Sequence, residues 1–111
     1  MEVTVDKEEL KAVEFNLEGE EQFAERGIVS KTLHQSASLK VILFSFERGQ
    51  ALSEHTAPFE AVIHVLQGKG EFILGKKKIE GVPGSLFIMP SGLVHAVNAT
   101  ERLVFLLTMA R

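Results

Sequence analysis

Beyond Gly27 the chain alternates between short apolar runs and clusters of turn-forming residues, a period that predicts β-strands rather than helices. Residues 28–34 and 39–47 (LKVILFSFE) are rich in β-branched and aromatic side chains and are separated by the polar turn Gln35-Ser36-Ala37-Ser38. Further strands are predicted over 61–66, 71–74, 76–80, 85–89, 93–97 and 102–109. The breaks between them carry Gly68 and Gly70, Gly75, Pro83-Gly84, Pro90-Ser91-Gly92 and Asn98-Ala99-Thr100. Pro83-Gly84 suits the centre of a type II turn, with Pro fixing φ and Gly taking the positive φ. Eight or so short strands without a sustained helical period predict an all-β sandwich or barrel.

The first 27 residues read differently. In DKEELKAVEF, Leu10, Val13 and Phe15 fall on one side, with Asp6 as a candidate N-cap and Glu9 three residues on. A second acidic piece, residues 20–26, carries Phe23 and stops at Gly27. The expected organisation is an acidic N-terminal arm over 1–27, short helix or irregular chain, laid on a β-barrel domain over 28–111. A chain of 111 residues with 45% hydrophobic side chains buries one core and no more.

Charge and composition narrow the partners. The net charge is −3, and it is uneven, with nine acidic against three basic side chains in residues 1–27 and six against nine in the rest. A phosphate-binding surface needs clustered Lys and Arg, so nucleic acid is not expected as a partner, and Lys76 to Lys78 reads as a solvated hairpin tip. The longest apolar runs are far short of the roughly 20 residues that span a bilayer, and the acidic N-terminus does not resemble a secretory signal. No membrane association and a cytoplasmic location are therefore expected. Without cysteine there are no disulfides and no thiolate ligands.

Candidate chemistry gathers in two Gly-led stretches, residues 49–68 (GQALSEHTAPFEAVIHVLQG) and 84–98 (GSLFIMPSGLVHAVN), which present His55 and His95 at matching polar-to-apolar boundaries, with His64 further along the first. Gly49, His55 and Gly68 fall at the spacing Gly, five residues, His-x-His, three or four residues, Glu, six residues, Gly. Gly84, Pro90, Gly92 and His95 fit Gly, five residues, Pro-x-Gly, two residues, His, three residues, Asn, with Asn98 one residue early. On these motifs residues 28–110 resemble the small single-domain cupins. The resemblance implies a double-stranded β-helix, a jelly roll whose two sheets enclose a pocket. It also implies a metal held by the two His of the first motif, its Glu and the His of the second. Here the second His corresponds to Ala57 and the Glu to Ala61. Glu60 is adjacent, but neighbouring strand residues point to opposite faces, so Ala57, Ala61, Ile63 and Val65 share one face while Glu60, Val62 and His64 share the other.

Three readings of this site stay open. In the first, a divalent transition metal (Fe, Mn, Ni, Cu or Zn) serves a dioxygenase or isomerase, with His55 and His95 converging from opposite sheets and His34, His64 or Glu60 as extra ligands. A firm site needs three or more protein ligands, and the pattern supplies two. In the second, a metal-free pocket lined by His55, Ala57, Phe59, Ala61, Ile63 and His95 binds a small polar organic molecule such as a sugar derivative or organic acid. In the third, the barrel is a scaffold or sensor and both His are structural. Met89 and Met109 read as core filler, and Phe44, Phe46, Phe72, Phe87 and Phe105 as core or interface. Phe59, after His55, is placed to cap the pocket mouth. No phosphate-binding Gly-rich loop and no Ser-His-Asp or Cys-His arrangement is present. The run LKVILFSFE is apolar on both faces, which a sheet with one solvated face does not need, so a homodimer that buries the outer face of one sheet is expected.

Overall fold

A computed structural model describes residues 11–111. Nine strands follow in order: β1 (Ile28–Gln35), β2 (Leu39–Phe46), β3 (Ala51–His55), β4 (Ala61–Gln67), β5 (Gly70–Leu74), β6 (Lys77–Gly81), β7 (Leu86–Met89), β8 (His95–Ala99) and β9 (Leu103–Ala110). They form a five-stranded sheet in the order β1-β2-β9-β4-β7 and a four-stranded sheet in the order β3-β8-β5-β6. Every pairing is antiparallel. Strand alternation sends Phe44, Phe46, Ile63, Val65, Phe87, Phe105 and Leu107 inward from the larger sheet to meet Phe72 and Val97 from the smaller one. The aromatic contacts tie the layers together. Phe72 packs at 4.9 Å from Phe87 and 5.8 Å from Phe105, which stacks in turn on Phe44 at 5.1 Å. This is the all-β architecture that the strand pattern predicts and the jelly roll that the cupin resemblance implies.

The turns follow their residues. Ser85 N–H donates to the Val82 carbonyl at 2.8 Å across Pro83-Gly84, and Gly84 takes φ +93°, as a type II turn requires. Leu74 pairs with Lys77 across the two-residue loop Gly75-Lys76, whose glycine has φ +63°, so Lys76 to Lys78 do occupy a hairpin tip.

Two expectations change. A ninth strand, β3, occupies the polar stretch around His55, where no separate strand is predicted. The arm is not helical within the described residues. Residues 11–27 are irregular, with Gly19 at φ +84° and Arg26 at φ 55° interrupting any helical run. The first half of the helix expected over 6–15, with the Asp6 cap, lies outside the described residues. From residue 11 on, the arm gains its order from the sheet beneath it. Gln22 N–H donates to Ser45 Oγ at 3.3 Å, Lys31 pairs with Glu20, and the Arg102 guanidinium stacks 4.8 Å over the Phe23 ring. Arg102 Nε also donates to both oxygens of Glu47, at 3.0 and 3.1 Å, which holds the Glu47 carboxyl below its usual range and raises Arg102. These contacts cover Leu43, Ser45 and Val104, outward-facing yet almost fully buried.

Candidate functional site

His55 closes β3 and His95 opens β8, and the two are register partners on adjacent strands of the same four-stranded sheet. This corrects the expectation that they converge from opposite sheets. Their rings lie with centroids 4.0 Å apart, tilted at 59°. What brings His55 inward is an irregularity in the pairing. Leu52 is opposite Val97, and the next matched pair is His55 with His95, so Ser53 and Glu54 together oppose Ala96 alone. Strict alternation from inward-facing Leu52 would turn Glu54 into the barrel and His55 out of it. The bulge reverses this assignment.

Both imidazoles are oriented in the same way. His55 Nδ1 lies 2.8 Å from the Ser53 carbonyl oxygen and His95 Nδ1 lies 3.0 Å from that of Leu93, each two residues back along the chain. A carbonyl only accepts, so each Nδ1 donates, which leaves Nε2 as the uncommitted ring nitrogen, an acceptor in the neutral ring. His95 is 7% exposed, whereas His55 stands on the edge strand and is open to solvent. The loop between β3 and β4 is tied to the turn before β8. Gly92 N–H donates to the Ala57 carbonyl and Ser91 Oγ–H to that of Pro58, both at 2.8 Å. Ala57 and Phe59 therefore sit in this tied loop, Phe59 exposed, and neither lines the cavity between the sheets.

The cavity behind the two rings is small, about 40 Å³. It is lined by Leu52, His55, His95 and Val97 from one sheet and by Phe44, Ile63, Met89, Phe105 and Leu107 from the other. Ile63 is thus the one predicted aliphatic residue that borders it. Ala61 is buried one pleat away on the same face, between Met89 and Met109 in register. His64 lies exposed on the outer face of the larger sheet, opposite Leu86 and Leu106. His34 borders a groove between the arm and that outer face, and Glu60 is exposed in the loop before β4. None of these three reaches the cavity. Sequence reasoning missed Phe44, Leu52, Met89, Val97, Phe105 and Leu107 as cavity residues; for Met89 a signal is available, since it follows inward-facing Phe87 by two residues.

Two antiparallel sheets wrapped around a small pocket, with a histidine pair at its rim, define the chain as a double-stranded β-helix protein of the cupin class. The family model described as Cupin domain (Cupin_2) matches residues 42–109, and the chain belongs to that family. It is similar to an RmlC-like cupin from Desulfovibrio desulfuricans, at 30% identity and TM-score 0.81 over 90% of this chain and 97% of the other. It is also similar to a cupin superfamily protein from Desulfitobacterium hafniense (25% identity, TM-score 0.82, 91% and 93% covered). A third similar structure is KdgF from Halomonas sp. (28% identity, TM-score 0.76, 92% and 96% covered). No curated protein matches the chain.

The four-ligand metal centre that the cupin motifs imply does not fit these residues. Ala57 and Ala61 stand at two of its positions, and no cluster of three or more His, Cys, Asp or Glu suited to a metal occurs among the described residues.

Proposed function

We propose that this protein binds a small polar organic molecule, a sugar derivative or organic acid, at the rim of the barrel through His55 and His95. The observation that carries the reading is the pair of imidazoles with ring centroids 4.0 Å apart, each anchored through Nδ1 to a backbone carbonyl so that Nε2 is left for a ligand. Two neighbouring acceptors on rigid elements suit adjacent hydroxyls or an enol, and an apolar cavity behind them strengthens each hydrogen bond by excluding water. A space of about 40 Å³ admits the ligand's head group only. The remainder then lies outward beside Ala57 and Phe59. A thermal-shift panel of hydroxy acids and sugar acids tests this. A true ligand at about 100 times its Kd raises the wild-type melting temperature by about 10 °C, and His55→Ala or His95→Ala removes most of that rise. The reading fails if no compound stabilises the wild type more than the double variant.

We also propose a homodimer across the outer face of the larger sheet. Supporting it are Leu86 and Ile88, 59% and 65% exposed, beside Val62 and Leu106 on that face. Placing a charge at its centre with Ile88→Lys is expected to halve the mass measured by light scattering without lowering secondary-structure content. A wild-type monomer at the same concentration would remove the proposal.

A further inference from the structure

We propose that the homodimer closes on a twofold axis running along β9, so that Ile88 of each copy enters the groove between arm and sheet of the other. The inference rests on the homodimer reading and deepens it by assigning which residues meet.

One row of register partners crosses the outer face of the larger sheet from edge to edge. His34 on β1 pairs with Val41, Val41 with Thr108, Thr108 with Val62, and Val62 with Ile88 on β7. All five face away from the core, since ladder partners share a face and Phe87, Met89, Leu107 and Met109 point inward. The two ends of the row differ in shape. Ile88 is a knob, 65% exposed, with Leu86 one row on at 59%. At the other end a groove of about 430 Å³ opens between Val13 and Phe15 of the arm and Leu33, Leu39 and Val41 of the sheet. β9 lies midway, with two strands on either side.

Rotation by half a turn about an axis laid along β9, between two such faces, exchanges the ends of the row. β7 of one copy then lies over β1 of the other, and each knob meets a groove, twice in one dimer. Sheets packed face to face keep their strands within about 30° of each other, a condition this axis satisfies. An axis across the strands would instead set β7 over β7 and groove over groove. A second copy therefore carries a filler for the groove at the right level, and no foreign chain is needed. Charge agrees with this facing. The ionisable lining of the groove is Lys11 and His34, with no acid. The knob half carries exposed Glu60, whose carbonyl accepts from Ala110 N–H at 3.0 Å, level with Leu39 across β9. Area agrees as well. Five strands about 4.8 Å apart and on average about 23 Å long offer roughly 550 Å² of projected face. The arm adds to this, and stable interfaces bury about 800 Å² per partner.

The chain has no cysteine, so introduced thiols and a short bis-maleimide report the facing directly. Within one chain His34 and Ile88 stand four strand spacings apart, about 19 Å, beyond the reach of a short linker. The double variant His34→Cys, Ile88→Cys is expected to run mostly at twice the chain mass on a denaturing gel, while neither single variant does. Thr108→Cys leaves knob and groove intact, lies on the axis, and is expected to cross-link to its own counterpart. A dimer by light scattering in which Thr108→Cys does not cross-link, or in which Ile88→Cys alone does, overturns the facing and leaves the homodimer standing. A wild type that is monomeric at the cross-linking concentration overturns both.

Discussion

Gly68→Ala is expected to cost about 3 kcal/mol or more of folding stability, a large part of the roughly 5–15 kcal/mol that holds a domain of this size together. Gly68 ends the first cupin-motif stretch at φ +76°, directly after the irregularity where β4 leaves its register with β9. A Cβ at this position would stand 1.6 Å from the Arg102 carbonyl oxygen and 2.6 Å from its carbon. No side-chain movement relieves a contact with backbone, so β4 and β9 must separate where Leu103 and Val65 enter the core. The same movement pulls Arg102 away from Glu47 and Phe23 and loosens the arm. Gly49 provides the control. It has φ +84° but nothing within 4 Å of a built Cβ, so Gly49→Ala reports left-handed strain alone, about 1 kcal/mol. Denaturant unfolding of both variants separates the two causes. If Gly68→Ala costs no more than Gly49→Ala, the close approach of the two strands is not a constraint.

Much of this architecture is legible in the sequence. Alternation of apolar residues located eight strands to within a few positions, because burial of one face imposes a period of two on any half-buried strand. Parity correctly separated Ala61, Ile63 and Val65 from Val62 and His64, since β4 is regular over that span. β3 escaped because it is a solvent-facing edge strand, ALSEH, with one partly buried residue and no apolar period to read. The bulge at Ser53-Glu54 escaped for a related reason. Its cause is the pairing with β8, more than forty residues later, and nothing local marks it. Consequently the two histidines could be assigned to one site from their motif spacing, but not to one sheet. Cavity size was equally invisible. Closing a β-barrel suggests a roomy pocket, whereas Phe44 and Phe105 from the facing sheet fill most of it.

The clearest consequence of the alanine at position 61 is expected when the motif's carboxylate is restored. Ala61 is 2% exposed and enclosed by Met89 and Met109, so Ala61→Glu both overfills the layer and buries a carboxyl among apolar groups. Without metal, the overfilling costs about 1–3 kcal/mol and the unpartnered carboxyl at least about as much again. On the inner face one pleat from the cavity, the new carboxylate is nevertheless expected to reach the histidine pair and complete the two-His-one-carboxylate set that divalent ions prefer. Stability should therefore become metal-dependent: a divalent ion at 1,000 times its Kd returns about 4 kcal/mol by binding only the folded state. Melting curves of Ala61→Glu with chelator and with Zn(II) or Mn(II) show the effect, the wild type serving as the unresponsive reference. A variant that loses stability but gains nothing from either ion would mean that position 61 does not look onto the histidines. A variant as stable as the wild type with chelator present would mean that the inner face has room and water that a cavity of about 40 Å³ denies it.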